Sequence, residues 1–321
     1  MTNPLAELLD QRDYLIADGA TGTNMMSMGL KPGSPPDFWN TEHADEVEGL
    51  HRSFVEAGSD ILLTNTFGSN AQRLILDKAE HRTRELNEAG ARRARAAADS
   101  VDRPVIVAGS MGPTGGLMEP LGELTPEEAL AAYIPQAEAL AEGGADVLWI
   151  ETIFDFGELA AAVQGAAMTG LPVVSTMTFD TASRTMMGDT PETAFEFVHS
   201  LPNKVAAFGA NCGAGPSMLI DTICGLSRGA DAGDVIVAKG NCGMPVMQGG
   251  DVVYSGTVEI MAIYARMARD AGARIIGGCC GTTPDHVRSI ADALRGYQPG
   301  EMPDKAAIEA ALGPIKPPRI D

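Results

Sequence analysis

The sequence predicts an α/β fold: a (β/α)8 TIM barrel over residues 1–296, followed by a C-terminal tail, 297–321. Three observations predict it. One local unit recurs, in which an Ala-rich helical stretch ends at glycine and a short apolar run comes at once behind it. It reads Phe54-Val55-Glu56-Ala57-Gly58-Ser59-Asp60-Ile61-Leu62-Leu63, returns as Leu140-Ala141-Glu142-Gly143-Gly144-Ala145-Asp146-Val147-Leu148-Trp149, and again as Arg269-Asp270-Ala271-Gly272-Ala273-Arg274-Ile275-Ile276. Glycine just past a helix supplies a left-handed cap without a Cβ clash, and a strand directly behind it is the helix-to-strand joint of an α/β protein. Second, eight apolar runs bounded by turn residues are mostly continuous rather than alternating, as strands buried on both faces should be. Third, three of the intervening helical stretches begin Thr-Pro-acid, at Thr125-Pro126-Glu127, Thr190-Pro191-Glu192 and Thr283-Pro284-Asp285. Threonine caps the first turn, and proline sits where its missing N–H does no harm. Thr125 with Glu128 also has capping-box spacing.

The strand candidates, in order, are Tyr14–Ala17, Ile61–Thr64, Val105–Ala108, Val147–Ile150, Val173–Thr176, Val205–Gly209, Val235–Ala238 and Arg274–Ile276. In such barrels the active site lies at the C-terminal strand ends. The segments just past the strands are polar and glycine-flanked: Asp18-Gly19-Ala20-Thr21-Gly22-Thr23, Asn65-Thr66-Phe67-Gly68, Gly109-Ser110-Met111-Gly112-Pro113, Glu151-Thr152, Asn211-Cys212-Gly213, Lys239-Gly240-Asn241-Cys242 and Gly277-Gly278-Cys279-Cys280-Gly281.

Composition bounds the partners. The 321 residues are 45% hydrophobic, enough for one large core, and carry a net charge of −20. So acidic a surface repels nucleic acid and anionic membrane. No apolar run approaches the roughly 20 residues that span a bilayer, and Met1-Thr2-Asn3-Pro4-Leu5-Ala6-Glu7 has neither the basic nor the apolar region of a signal peptide. Five cysteines argue against a disulfide framework and fit a cytoplasmic location, where clustered cysteines serve metals or catalysis. The tail after Tyr297 holds five of the 20 prolines and reads as a surface strap, a short oligomer contact or a partly disordered end. A homodimer stays open.

The adjacent pair Cys279-Cys280 is the sharpest feature. Neighbouring cysteines rarely bridge each other, because the ring is strained, but between glycines both thiolates can turn to one metal. In a closed barrel only strand 7 separates the ends of strands 6 and 8, which brings Cys212 close. Three soft thiolates suit zinc and leave its fourth position open, as in catalytic sites. Three thiolates leave Zn²⁺ with one net negative charge. Such a centre generates hydroxide poorly but still binds and deprotonates a substrate thiol, which suits alkyl transfer to sulfur. Cys224 reads as a small buried hydrophobe; Cys242 reads the same way, with a spare-ligand role open.

The Asp18–Thr23 loop has phosphate-cradle glycines but no P-loop lysine; its backbone N–H groups suit a carboxylate, and Asp18 an amine. Glu151, behind a buried apolar strand, calls for a cationic partner. His43, His51, His81, His199 and His286 fall in or beside helices and read as surface or packing residues. Met25-Met26-Ser27-Met28 reads as irregular packing, with an apolar lip over the pocket as the alternative. Cys212, Cys279 and Cys280, through zinc, and Glu151 are the catalytic candidates; Asp18, Gly19, Glu151, Asn65, Ser110 and Asn241 are the substrate-binding ones.

Gly-Ala-Asn-Cys at 209–212 with Gly-Gly-Cys-Cys-Gly-Thr-Thr-Pro at 277–284 resembles the zinc signature of the homocysteine S-methyltransferase family, which includes betaine–homocysteine methyltransferase and the homocysteine module of cobalamin-dependent methionine synthase. The resemblance runs from about residue 12 to 296 and includes Asp18–Thr23, Ala57-Gly58-Ser59-Asp60, Thr64-Asn65-Thr66-Phe67 and Glu151-Thr152. It implies a zinc barrel that makes methionine, with Cys212, Cys279 and Cys280 as ligands and the homocysteine sulfur as fourth. It further implies that Asp18, Gly19 and Glu151 hold the amino-acid end, and that Asn241 lies near the zinc. For the methyl donor, the betaine family carries an aromatic where this chain has Gly68; Trp39, Phe38 and Phe67 are the aromatics at hand to box an onium group. Phe179-Asp180-Thr181-Ala182-Ser183-Arg184-Thr185 is similar to the methionine synthase module, yet no Asp-x-His-x-x-Gly cobalamin motif is present. The balance favours a small onium donor, a betaine or a sulfonium such as dimethylsulfoniopropionate or S-methylmethionine. The rivals are one piece of a split methionine synthase, fed by methylcobalamin on a separate protein, and a non-catalytic zinc-binding barrel.

Overall fold

A computed structural model describes residues 3–243, 245–248 and 251–315. The strands are β1 (Leu15–Ile16), β2 (Ile61–Leu63), β3 (Ile106–Met111), β4 (Val147–Ile153), β5 (Val173–Met177), β6 (Ala207–Cys212), β7 (Ile236–Gly240), β8 (Pro245–Gln248), β9 (Asp251–Tyr254) and β10 (Ala273–Gly278). Eight form one sheet in the order β1-β10-β7-β6-β5-β4-β3-β2, every neighbour parallel. A single parallel bridge, Ala17 to Ile61, closes β1 onto β2, flanked by Asp18 N–H to Ile61 O (3.0 Å) and Asp60 N–H to Ile16 O (2.7 Å). With helices between the strands, this is the expected (β/α)8 barrel.

The joints work as the recurring unit implied. Gly58, Gly144 and Gly272 have φ of 110°, 102° and 95°, the left-handed region that turns a helix end into the next strand. Thr125, Thr190 and Thr283 each cap a helix in a reciprocal box, with Glu128, Thr193 and His286 in turn.

All eight expected strands form, and β3, β4, β5, β6, β7 and β10 run further at their C-terminal ends. Apolar runs stop at the first polar residue, whereas backbone pairing continues while a neighbouring strand offers partners. Ser110, Glu151, Asn211 and Lys239 therefore sit on strands rather than on loops. The antiparallel pair β8–β9, between β7 and β10, was not expected; proline and glycine around it argue against strands by composition.

Successive residues alternate across the barrel wall. Leu15, Ala17, Ile61, Leu63, Ile106, Ala108, Val147, Trp149, Val174, Ala207, Val237 and Ile275 form the interior, joined by Leu5, Leu8 and Leu9 of the helix Pro4–Gln11, which precedes β1. The residues between them, such as Ile16, Leu62, Val107, Leu148, Phe208, Ala238 and Ile276, pack outward against the helices. Continued two residues on, and four on β6, the inward set becomes Ser110, Glu151, Thr176, Asn211 and Lys239. The same alternation that fills the core therefore builds a polar layer above it.

The tail lies on the outer helices as far as residue 315. Ile308, on the helix Lys305–Leu312, and Ile315 join the outer core. Tyr297 Oη donates to Asp270 (2.9 Å) and Ser217 Oγ to Pro314 O (3.0 Å). Among the described residues, no helix is long and apolar enough to cross a membrane.

Candidate metal centre and substrate pocket

Cys212 ends β6, while Cys279 and Cys280 directly follow β10, with β7 between those strands. The three sulfurs lie within 4.8 Å of one another. The backbone is shaped to achieve this. Cys212 has φ 65° and is followed by Gly213 at φ 74°, a left-handed pair that turns the chain at the strand end. Such a conformation is costly for a residue with a Cβ and persists only where its surroundings enforce it. Gly278 is required by its neighbour: a Cβ there would lie 2.3 Å from Thr282 Oγ1. That hydroxyl in turn donates to the Cys279 carbonyl (2.5 Å).

Two asparagines fasten the cluster. Asn211 Oδ1 accepts from Thr152 N–H (2.9 Å) and Thr176 Oγ1 (2.8 Å), while its Nδ2 donates to Thr152 Oγ1 (2.8 Å) and Cys279 Sγ (3.7 Å). Asn241 Nδ2 donates to Cys212 Sγ (3.5 Å) and the Gly213 carbonyl (2.7 Å), and its Oδ1 is buried without a partner among the described residues. Hydrogen bonds to sulfur favour the thiolate. The thiols of Cys279 and Cys280 hold Cys212 down to about 3, and hydrogen bonding and charge from Cys212 push Cys279 up to about 11 and Cys280 higher still. Crowding opposes the ionisation of all three thiols at once, and a soft dication relieves that opposition. Tetrahedral bonds of about 2.3 Å place sulfurs about 3.8 Å apart, which the spacing admits. The donor set fits zinc.

Next to the sulfurs lies a buried charged group. Asp18 accepts from Lys239 Nζ at Oδ1 (2.7 Å) and from Leu63 N–H at Oδ2 (2.7 Å). Glu151 Oε1 accepts from Ser110 Oγ (2.5 Å). Burial pushes Glu151 up to about 7, with Lys239 pulling against it. Burial works to strip the proton from Lys239, but Asp18 and then Glu151 more than offset this and hold its pKa above the ordinary lysine value. At Gly19 a Cβ would lie 2.8 Å from Phe54 Cε1 and Thr282 Oγ1, so only glycine lets this loop pass.

The expected site residues thus divide. Cys212, Cys279, Cys280 and Asn241 meet at one point, and Asp18, Gly19, Glu151 and Ser110 line the same strand ends. Asn65 is not brought to them: its Nδ2 donates to Pro36 O (2.8 Å) and Asn40 Oδ1 (3.0 Å), tying the loop after β2 to its neighbours. Cys242 stands apart from the cluster, its Sγ 3.1 Å from His286 Nε2. Of the aromatics, Trp39 is buried in the outer core, Phe38 packs with Leu74, Ala79 and Leu86, and Phe67 alone is exposed, at 41%. A Cβ on Gly68 would meet Asp37 Oδ2 at 3.0 Å, so that carboxylate occupies the space a larger residue would need. Met25 is core, while Met26 and Met28 are exposed.

Sequence reasoning misses Lys239 and Asn211 as site residues. A lysine after an apolar run reads as a strand end. The available signal is register, because Lys239 shares the inward face of Val237, and a cation there needs a carboxylate.

A (β/α)8 barrel with a three-cysteine cluster and a buried acid–lysine group at its strand ends is the frame of a thiol-handling enzyme. The chain belongs to the homocysteine S-methyltransferase family, whose sequence model matches residues 15–294. It is 34% identical over 309 residues to the methionine synthase of Mycobacterium tuberculosis (strain ATCC 25618 / H37Rv), covering 90% of this chain and 25% of that one. It is 33% identical over 318 residues to the methionine synthase of Mycobacterium leprae (strain TN), covering 93% and 26%. The chain thus spans about a quarter of these relatives' length. Among solved structures it resembles the homocysteine methyltransferase MmuM from Escherichia coli, metallated form, with a TM-score of 0.75, 24% identity, and coverage of 90% of this chain and 99% of that one. That likeness concerns the fold.

Proposed function

We propose that the protein transfers a methyl group to the sulfur of homocysteine, giving methionine, at a zinc held by Cys212, Cys279 and Cys280. The observation that carries this reading is the meeting of three cysteine sulfurs within 4.8 Å at the strand ends of a chain of this family. Zinc, when bound, supplies a soft Lewis-acid position at which a substrate thiol loses its proton yet stays nucleophilic. The protein's own residues do the rest. Asn211 and Asn241 orient sulfurs, Ser110 orients Glu151, and Glu151 faces the substrate amine. Cys242, engaged by His286, weighs against a closed four-cysteine structural site, and hence against a non-catalytic barrel.

A small onium donor fits the charge of the pocket. An anionic sulfur attacking a cationic methyl donor neutralises both charges, which favours the reaction where water is excluded. Phe67, exposed at the rim, offers one aromatic face; Trp39 and Phe38 do not complete a box around it. A second reading, methyl delivery from cobalamin on another domain or protein, draws on the likeness to methionine synthases of which this chain spans a quarter. It also draws on the exposed apolar residues Phe67, Ile75, Leu76, Leu117 and Leu121 on the loops after β2 and β3, an apolar rim suited to a docking partner.

Incubation of the zinc-loaded protein with homocysteine and glycine betaine, dimethylsulfoniopropionate, S-methylmethionine or methylcobalamin separates these readings. Methionine from an onium compound is the expected result. Methionine from methylcobalamin alone selects the second reading, and no methylated thiol with any donor refutes both.

A further inference from the structure

Two neighbouring cysteines can face one metal only if the backbone that carries them is held. The Cys279 N–H donates to the Gly240 carbonyl (2.7 Å), and the Cys280 carbonyl accepts from the Cys242 N–H (2.9 Å). The pair is thus gripped by the end of β7 and the segment behind it. The same segment carries Asn241, whose amide donates to Cys212 Sγ (3.5 Å). All three sulfurs therefore depend on where residues 240–242 stand.

Cys242 is itself fixed. It is 1% exposed, and its carbonyl accepts from the Gly256 N–H (3.0 Å). A Cβ on Gly256 would lie 2.6 Å from Cys242 Sγ, so the chain returning from β9 closes over the sulfur. The sulfur also meets His286 Nε2 at 3.1 Å. His286 is the third residue of the helix Pro284–Leu294, where a capping box ordinarily has Glu or Gln. Its Nδ1 accepts from the Thr283 N–H (3.1 Å) and lies 2.8 Å from Thr283 Oγ1. A backbone N–H can only donate, so Nδ1 carries no proton, and the proton of the neutral ring is on Nε2, at the sulfur. A glutamate would satisfy Thr283 equally but offers no donor to Cys242; the imidazole serves both.

The contacts close a ring. It runs from the Cys280 carbonyl to Cys242, from the Cys242 sulfur to His286, from His286 Nδ1 to Thr283, and along the chain back to Cys280. We propose that Cys242 and His286 are positioning residues for the metal centre, a clamp that holds the Cys279-Cys280 backbone so that both thiolates face Cys212. Cys242 acts on its neighbours through its backbone N–H, while its sulfur is engaged by the imidazole and serves the metal only indirectly. The clamp ties the end of β7, the turn after β10 and the following helix to one another, the segments on which two of the three ligands and one asparagine stand.

This inference rests on the zinc reading, and its test keeps the two apart. Chelator competition on the full chain reads zinc affinity without turnover. Cys242→Ala removes the sulfur and leaves the capping box intact; zinc affinity falls about tenfold. In a His286→Ala background the clamp is already open, so the same Cys242→Ala substitution changes affinity by less than about twofold. The loss of the capping box is common to both members of that comparison and cancels. Unchanged affinity in Cys242→Ala overturns the clamp, as does an equal tenfold fall in both backgrounds, which means that Cys242 acts without His286. Cobalt(II) in place of zinc supplies a spectroscopic check: the sulfur-to-cobalt charge-transfer intensity of Cys242→Ala equals that of the unmodified protein. An intensity lower by one thiolate makes Cys242 a ligand and overturns the proposal. An unmodified protein that takes up no zinc fails the metal reading itself, whereas a zinc-binding protein indifferent to Cys242→Ala fails the clamp alone.

Discussion

The lower and upper halves of the barrel interior are built by the same strands under opposite rules. Below, Val147 and Trp149, Val237, and Ile275 interdigitate with Leu5, Leu8 and Leu9 in a dry plug. Two residues further along the same strands stand Glu151, Lys239 and Gly277, the last leading into Cys279 and Cys280. The lower layer gains by burying apolar area. The upper layer gives up that gain and must satisfy each polar group, which it does only in part: Asn241 Oδ1 has no partner among the described residues. Residual cost in the upper layer marks where a ligand belongs.

Substitutions that respect the division separate function from stability. Cys279→Ala has the largest expected effect: zinc binding is lost, and methionine formation falls by about 1,000-fold or more, read by metal analysis and product assay. Retained turnover in this variant breaks the comparison at its upper half. Trp149→Ala, at the boundary, costs about 3–5 kcal/mol of folding stability, read by urea denaturation, while zinc stoichiometry in the folded protein is kept.

The outer layer supplies a third, pH-dependent contrast. His51 is buried with both ring nitrogens unpartnered among the described residues, and burial pushes it down to about 4. The unfolded chain takes up a proton below about 6.5 and the folded chain does not until about 4. Stability is therefore full above about pH 6.5 and falls as pH drops through that window, by about 3 kcal/mol in all. His51→Leu flattens this limb in chemical melts at stepped pH; an unchanged limb means that other groups set it.

The smallest effect expected is on ligand affinity. Burial pushes Glu151 up to about 7, and under the proposed function its carboxylate form is the one that receives the ammonium of methionine. Affinity for methionine therefore rises about tenfold between about pH 6 and 8 and is flat in Glu151→Gln. Methionine lacks a thiol, so the titration of the substrate sulfur does not confuse this measurement.

The lower half is almost wholly legible in the sequence and the upper half only in pieces. Continuous apolar runs announce strands buried on both faces, and the glycine joints give their order. The paired cysteines between glycines are legible because few structural roles require that arrangement. Lys239 is not, since its meaning depends on Asp18, which lies 221 positions away in the chain and meets it only when the barrel closes. Asn65 misleads for the converse reason: a polar residue after a strand looks like a ligand contact until its amide is seen holding Pro36 and Asn40. The left-handed turn at Cys212 leaves no trace in composition, because cysteine has no preference for it.

The central claim is that Cys212, Cys279 and Cys280 hold zinc with one position reserved for the substrate sulfur. X-ray absorption at the zinc edge, on the loaded protein with and without homocysteine, tests it directly. The expected result is three sulfur ligands and one lighter atom, changing to four sulfurs at about 2.3 Å when homocysteine is added. Four sulfurs before homocysteine, or three sulfurs that stay three after it, would contradict the claim.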